Sequence, residues 1–109
     1  MGKKRRPEPV LLGALEEQVM LAVVRTGSDA YGMSVRRELE AVTGRDVTIG
    51  SVYATLDRLE AKGLVSSERT NGEDALSRRI FSVTQVGARS LELTRDTRER
   101  LWAGVRLRV

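Results

Sequence analysis

The stretch from Thr48 to Gly63 constrains the fold of this chain more than any other. Thr48 is a good N-cap, Gly63 a good C-terminal stop, and Ile49, Val52, Leu56 and Leu59 between them form one apolar stripe at helical spacing. Directly after Gly63 the pattern changes period. Leu64–Arg69 and Arg79–Val83 are short segments with β-branched and aromatic residues, separated by the polar, turn-forming Asn71-Gly72-Glu73-Asp74. A capped helix running into a hairpin leaves few architectures open.

The flanks narrow the choice. A first helix is expected from about Val10 to Arg25, ended by Gly27, with Leu12, Leu15, Val19, Ala22 and Val23 on one face. Leu11, Met20, Leu21 and Val24 carry apolar character onto other faces, so this helix is expected to bury more than one side, the second against another subunit. Asp29-Ala30-Tyr31-Gly32 reads as a turn into a second helix, about Gly32 to Val42, with Val35, Leu39 and Val42 facing inward and Gly44 as its stop. Thr84 can cap a last helix running from about Gln85 to beyond Val105. Three helices, a hairpin and a long helix predict an α+β, mainly α, winged helix-turn-helix with a C-terminal dimerisation helix. The expected division is a basic arm over 1–9, the winged helix-turn-helix over 10–83 and the dimerisation helix over 84–109.

Composition excludes much chemistry. The chain of 109 residues has neither cysteine nor histidine. Ser-His-Asp and Cys-His nucleophiles cannot be built, and zinc loses its two preferred ligands. No Gly-rich phosphate loop and no carboxylate cluster stands out, so no enzyme, cofactor or metal is expected. The longest apolar run, Val19 to Val24, is too short to span a bilayer, and no signal segment follows the basic N-terminus, so no membrane association and a cytoplasmic location are expected.

The net charge of +4 invites a nucleic-acid reading but is confined to one place. Lys3, Lys4, Arg5 and Arg6 account for all of it, and the remaining fifteen basic residues match the fifteen acidic ones. Such an arm can follow a DNA backbone, enter a minor groove, or serve only as a solubilising tail or tag remnant. Any further affinity depends on how the other charges are arranged.

At ~100° per residue, the third helix turns Ser51, Ala54, Thr55, Arg58, Ala61 and Lys62 away from its apolar stripe, with Thr48 at its head. Small residues let a helix approach the floor of the major groove, hydroxyls reach phosphates or base edges, and Arg can bridge guanine O6 and N7. A solvated helix face has the same composition. Arg78 and Arg79 at the hairpin's base can grip flanking phosphates, or simply solubilise the hairpin; Glu73 and Asp74 make its tip acidic. On the last helix Leu91, Thr94, Arg98, Leu101 and Val105 form an interrupted stripe with Trp102 beside it. Leu15, Val19, Leu91, Leu101, Trp102 and Val105 are the candidates for a dimer contact between the first and last helices of two subunits.

Four segments together resemble the PadR-like transcriptional regulators: Asp29-Ala30-Tyr31-Gly32, Thr43-Gly44, the run from Ile49 to Val65, and the run from Arg78 to Gly87. The Gly-x-x-Tyr-x-x-Leu-x-Arg-Leu-Glu-x-x-Gly-Leu pattern from Gly50 to Leu64 is the most specific. The resemblance covers roughly residues 10 to 105 and points to the family's shorter branch, with a single C-terminal helix. It implies a homodimeric repressor on an inverted-repeat operator in double-stranded DNA, with Tyr53 facing DNA and Arg78 and Arg79 as wing contacts. It also implies a small apolar or aromatic effector as a possible ligand, because an aromatic on the last helix lines such a pocket in some members; simple packing at the interface is the other role open to Trp102. The chain departs from the pattern at Phe81, where a Tyr is usual. Without the family, a winged helix serving protein–protein recognition remains the alternative.

Overall fold

The computed structural model describes residues 8–70 and 78–108. Its elements are α1 (Ala14–Thr26), a 3-10 turn (Gly27–Asp29), α2 (Gly32–Thr43), α3 (Ile49–Ala61), β1 (Val65–Arg69), β2 (Arg79–Val83) and α4 (Gln85–Trp102). The basic residues Lys3, Lys4, Arg5 and Arg6 and the acidic wing tip lie outside the described residues.

The helix boundaries follow local chemistry. Thr48 caps α3 by accepting from the Ser51 amide at 3.1 Å, and Thr84 caps α4 by accepting from the Gly87 amide at 3.0 Å. Gly44 ends α2 at φ +68°, a left-handed conformation that a Cβ would strain.

Two boundaries differ from expectation. Helix α1 begins at Ala14 rather than Val10, because the preceding backbone is committed elsewhere. The Val10 amide donates to Ser90 Oγ and the Leu12 amide to Thr94 Oγ1, each at 3.0 Å, so this segment lies extended across α4. Helix α4 stops at Trp102 rather than beyond Val105, since Ala103 leaves the helical region and Gly104 adopts φ +76°.

The two strands pair antiparallel, with Val65 opposite Val83, Ser67 opposite Phe81 and Arg69 opposite Arg79. Beyond β2, the Phe81 amide donates to the Ala30 carbonyl at 2.7 Å, so the turn before α2 covers part of that strand's edge. Thr84 locks the hairpin to the end of α3: its amide donates to the Leu64 carbonyl and its hydroxyl to the Gly63 carbonyl.

The core is a single cluster. Val19, Met20 and Val23 of α1, Val35 and Leu39 of α2, and Val52, Leu56 and Leu59 of α3 meet Leu64, Val65 and Phe81 of the hairpin. Helix α1 touches α2, α3, β2 and α4, which is why its apolar residues occupy more than one face. Met20 is fully buried within the protomer, not on a second surface, while Leu11, Leu21 and Val24 are exposed. Val42, expected to face inward on α2, is also exposed. Among the described residues no helix is long and apolar enough to cross a membrane.

Candidate nucleic-acid interface

The N-cap at Thr48 and the core contacts of Val52, Leu56 and Leu59 fix how α3 is rotated. Its outward face then carries Gly50, Ser51, Ala54, Asp57, Arg58, Ala61 and Lys62, all exposed. Ser51 Oγ accepts from the Thr48 hydroxyl at 2.9 Å, which orients both hydroxyls at the head of the helix. Nothing lies within 4 Å of where a Gly50 Cβ would stand, so the helix head is open and low.

Thr55 does not belong to this face. It is buried, at 1% exposure, because it stands three residues after Val52 and four before Leu59 and so falls in the core row. Its hydroxyl accepts a long contact, 3.3 Å, from Arg58. Lys62 is exposed but engaged, its ammonium 2.9 Å from Glu16 on α1. That partner holds the Glu16 carboxyl below its ordinary range.

The turn before α2 brings aromatic and basic residues together. Tyr53 projects from α3 against the first residue of α2, where a Cβ on Gly32 would stand 2.3 Å from the ring. A glycine at 32 lets the ring lie there without a shift of the tyrosine. Tyr53 is therefore half-covered, with its phenol end at the start of α2. Beside it the Arg78 guanidinium lies over the Tyr31 ring, 4.2 Å from its centroid, which holds a cation at the positive end of α2.

Arg79 is placed otherwise. It shares a strand face with Phe81 and lies over that ring at 4.8 Å, pointing at α3 rather than outward. Its Nη1 meets Asp57 Oδ1 at 2.8 Å, its Nη2 pairs with Glu60 Oε1, and its Nε donates to Ser67 Oγ at 3.2 Å. Ser67 in turn donates to Glu60 Oε2 at 2.7 Å. The Ser67 hydrogen bond, then Arg79, hold the Glu60 carboxyl below its usual range, and Glu60 raises the Arg79 guanidinium. The expectation that Arg79 grips a phosphate meets a side chain each of whose three nitrogens already has a partner within the chain. Asp57, Glu60 and Ser67 were not singled out in the sequence, although strand alternation from Phe81 puts Arg79 on the inward face.

The dimer candidates also divide. Val19, at 0% exposure, belongs to the protomer's own core and offers a partner no surface. Leu91 packs half-buried against the same core. Leu15 borders a cleft with Val47, Thr48 and Ser51, on the α3 side of α1. Thr94 is held by the Leu12 amide, and Arg98 clasps both carboxylate oxygens of Glu17 at 2.6 and 2.7 Å, so the first half of the α4 stripe is used within the chain. Beyond it, Leu101 (73% exposed), Trp102 (56%) and Val105 stand out with Leu107, around a shallow hollow of about 180 Å³.

This arrangement has many counterparts among solved structures. A PadR family transcriptional regulator from Eggerthella lenta superposes with a TM-score of 0.66 at 29% identity, covering 83% of this chain and 82% of its own. A PadR-like transcriptional regulator from Bacillus cereus gives 0.69 at 20% identity, over 84% and 86%. A PadR family transcription regulator from Clostridium difficile gives 0.68 at 19% identity, over 83% and 93%. No curated protein matches the chain in sequence. The model of the transcriptional regulator PadR-like family matches residues 20–93, from the middle of α1 into α4. With the winged-helix architecture and this match together, the chain belongs to the PadR-like family of transcriptional regulators, which are not enzymes.

Proposed function

We propose that the protein is a homodimeric repressor that binds an inverted-repeat operator, with α3 in the major groove and the turn before α2 on the flanking backbone. The observation that carries this is the outward row of α3. Ser51, Ala54, Arg58 and Ala61 are exposed together, low in profile and centred on one arginine whose hydrogen bond to Thr55 is long, at 3.3 Å. Such a surface fits a groove floor, and Arg58 suits the paired acceptors of guanine. Arg78 over Tyr31, with Tyr53 at the start of α2, provides a fixed cation for a phosphate. Lys3, Lys4, Arg5 and Arg6 supply a further basic arm.

Dimerisation would use the exposed end of α4. Leu101, Trp102, Val105 and Leu107 form an apolar surface that the single chain leaves in water, and two-fold pairing is the commonest way to cover one. The exposed apolar side of α1, with Leu21 and Val24, is a second surface for the same partner. Paired protomers would present two α3 helices about one duplex turn apart, hence the inverted repeat. The hollow at Trp102 is smaller than an ordinary ligand pocket of roughly 300 Å³ or more, so a flat apolar effector would need walls from both copies. We place the protein in the cytoplasm, with its DNA.

The test is binding to the DNA upstream of the protein's own gene. Salt-sensitive preference for that duplex over random sequence, narrowed in Arg58→Ala, supports the proposal. Equal affinity for both duplexes counts against it.

A further inference from the structure

Arg79 of the wing is held by side chains from two other elements, α3 and β1. Guanidinium is a planar fork, and three of its nitrogens have partners: Nε with Ser67, Nη1 with Asp57 and Nη2 with Glu60. Two of those partners are carboxylates on consecutive turns of α3, and the third is on the opposite strand of the hairpin. The Phe81 ring backs the guanidinium plane. A phosphate approaching this fork would meet the Asp57 and Glu60 carboxylates already paired with it.

We propose that Arg79 is a positioning residue, touching no DNA itself, that ties both strands of the wing to the α3 helix and so sets the distance between Arg78 and the outward face of α3. The proposal rests on the DNA-binding reading above for its consequence but not for its geometry. Asp57 and Glu60 are explained by the same tie: on a surface meant for DNA they are the anchors that Arg79 needs. A wing held at one end by Thr84 and along its strands by Arg79 presents its cation in register with the helix. A wing without Arg79 keeps its charge elsewhere and loses register.

The experiment compares the full chain with Arg79→Ala, Arg79→Lys, Glu60→Ala and Ser67→Ala. Binding is followed by fluorescence anisotropy over a salt series, on a labelled duplex from upstream of the protein's own gene and on a random-sequence duplex. Arg79→Ala and Glu60→Ala are expected to weaken binding to the upstream duplex about tenfold, mid-range for residues sharing one ion-pair network, with the slope of log K against log salt unchanged. Loss of a phosphate contact would instead flatten that slope by about 0.9 for Arg79→Ala, and this overturns the proposal. Glu60→Ala separates the alternatives by sign. Removing a negative charge beside DNA strengthens binding if only charge matters, so tighter binding also overturns it. Arg79→Lys keeps the charge without the fork and is expected to resemble Arg79→Ala; wild-type behaviour in the lysine variant is the contrary result. Ser67→Ala removes no charge and should give the same pattern at smaller amplitude, which covers the case where a charge deletion unfolds the chain. If the wild type binds neither duplex, the DNA reading fails while the tie is still read without DNA. Amide hydrogen exchange in β1 and β2 should then quicken in Arg79→Ala and Glu60→Ala, with α1 and α2 unchanged; unchanged exchange in the strands overturns the tie itself.

Discussion

Gly87 sits directly against the backbone of Leu64: a Cβ at position 87 would stand 2.0 Å from the Leu64 carbonyl oxygen and 3.0 Å from its carbonyl carbon. That oxygen already accepts from the Thr84 amide at 3.1 Å, so it has no room to withdraw. The first turn of α4 thus seats on the last residue before the wing, and the contact joins the two halves of the chain. Gly87→Ala is expected to destabilise the fold by about 1–3 kcal/mol, as overpacking does, visible as a lower urea midpoint. An unchanged midpoint would mean that α4 does not seat there.

The exposed end of α4 should govern association without governing folding. Leu101 and Trp102 make no core contact in the single chain, so replacing both with Asp is expected to give monomers by sedimentation with unchanged helical circular dichroism. A folded dimer carrying both substitutions would place the interface elsewhere.

Acid should loosen the links between elements. Glu16, paired with Lys62, and Glu60, held by Ser67 and Arg79, both titrate below the usual 4.5 in the folded chain. A carboxyl with a depressed folded value contributes stability above its unfolded value and loses it as pH falls through the folded one. The urea midpoint should therefore hold near neutrality and decline as pH drops below 4.5, and Glu60→Gln should make that decline shallower. An acid limb identical in the variant would remove Glu60 from the balance.

Arg58 should matter for sequence preference. Arg58→Ala is expected to cost about 1–3 kcal/mol on the upstream duplex and to narrow its margin over random DNA. By contrast Lys62→Ala should weaken both duplexes slightly, since its ammonium is shared with Glu16. A uniform loss for Arg58→Ala, equal on both duplexes, would make it a backbone contact.

Local patterns reported local structure well. The caps at Thr48 and Thr84, the stop at Gly44, the strand pair and the core stripe of α3 all follow from short-range spacing, and all appear where expected. The discrepancies come from long-range ties. Val10–Leu12 has helical apolar spacing, yet its amides are taken by Ser90 and Thr94, some eighty residues away. Met20 looked like a surface for a partner because α1 is apolar on several sides, but four elements of the same chain cover those sides. The placements of Thr55 and Arg79 were legible in local spacing. Helical spacing puts Thr55 in the row of Val52 and Leu59, and strand alternation puts Arg79 on the face of Phe81.

The most direct measurement is a salt titration of the unmodified protein on two duplexes, one from upstream of its own gene and one of random sequence. A sequence-specific regulator should prefer the upstream duplex by roughly 10³-fold or more at fixed salt, bind it as two protomers per site, and show log K falling linearly as log salt rises. Equal affinity for the two duplexes, or binding indifferent to salt, would contradict a DNA-reading role for α3.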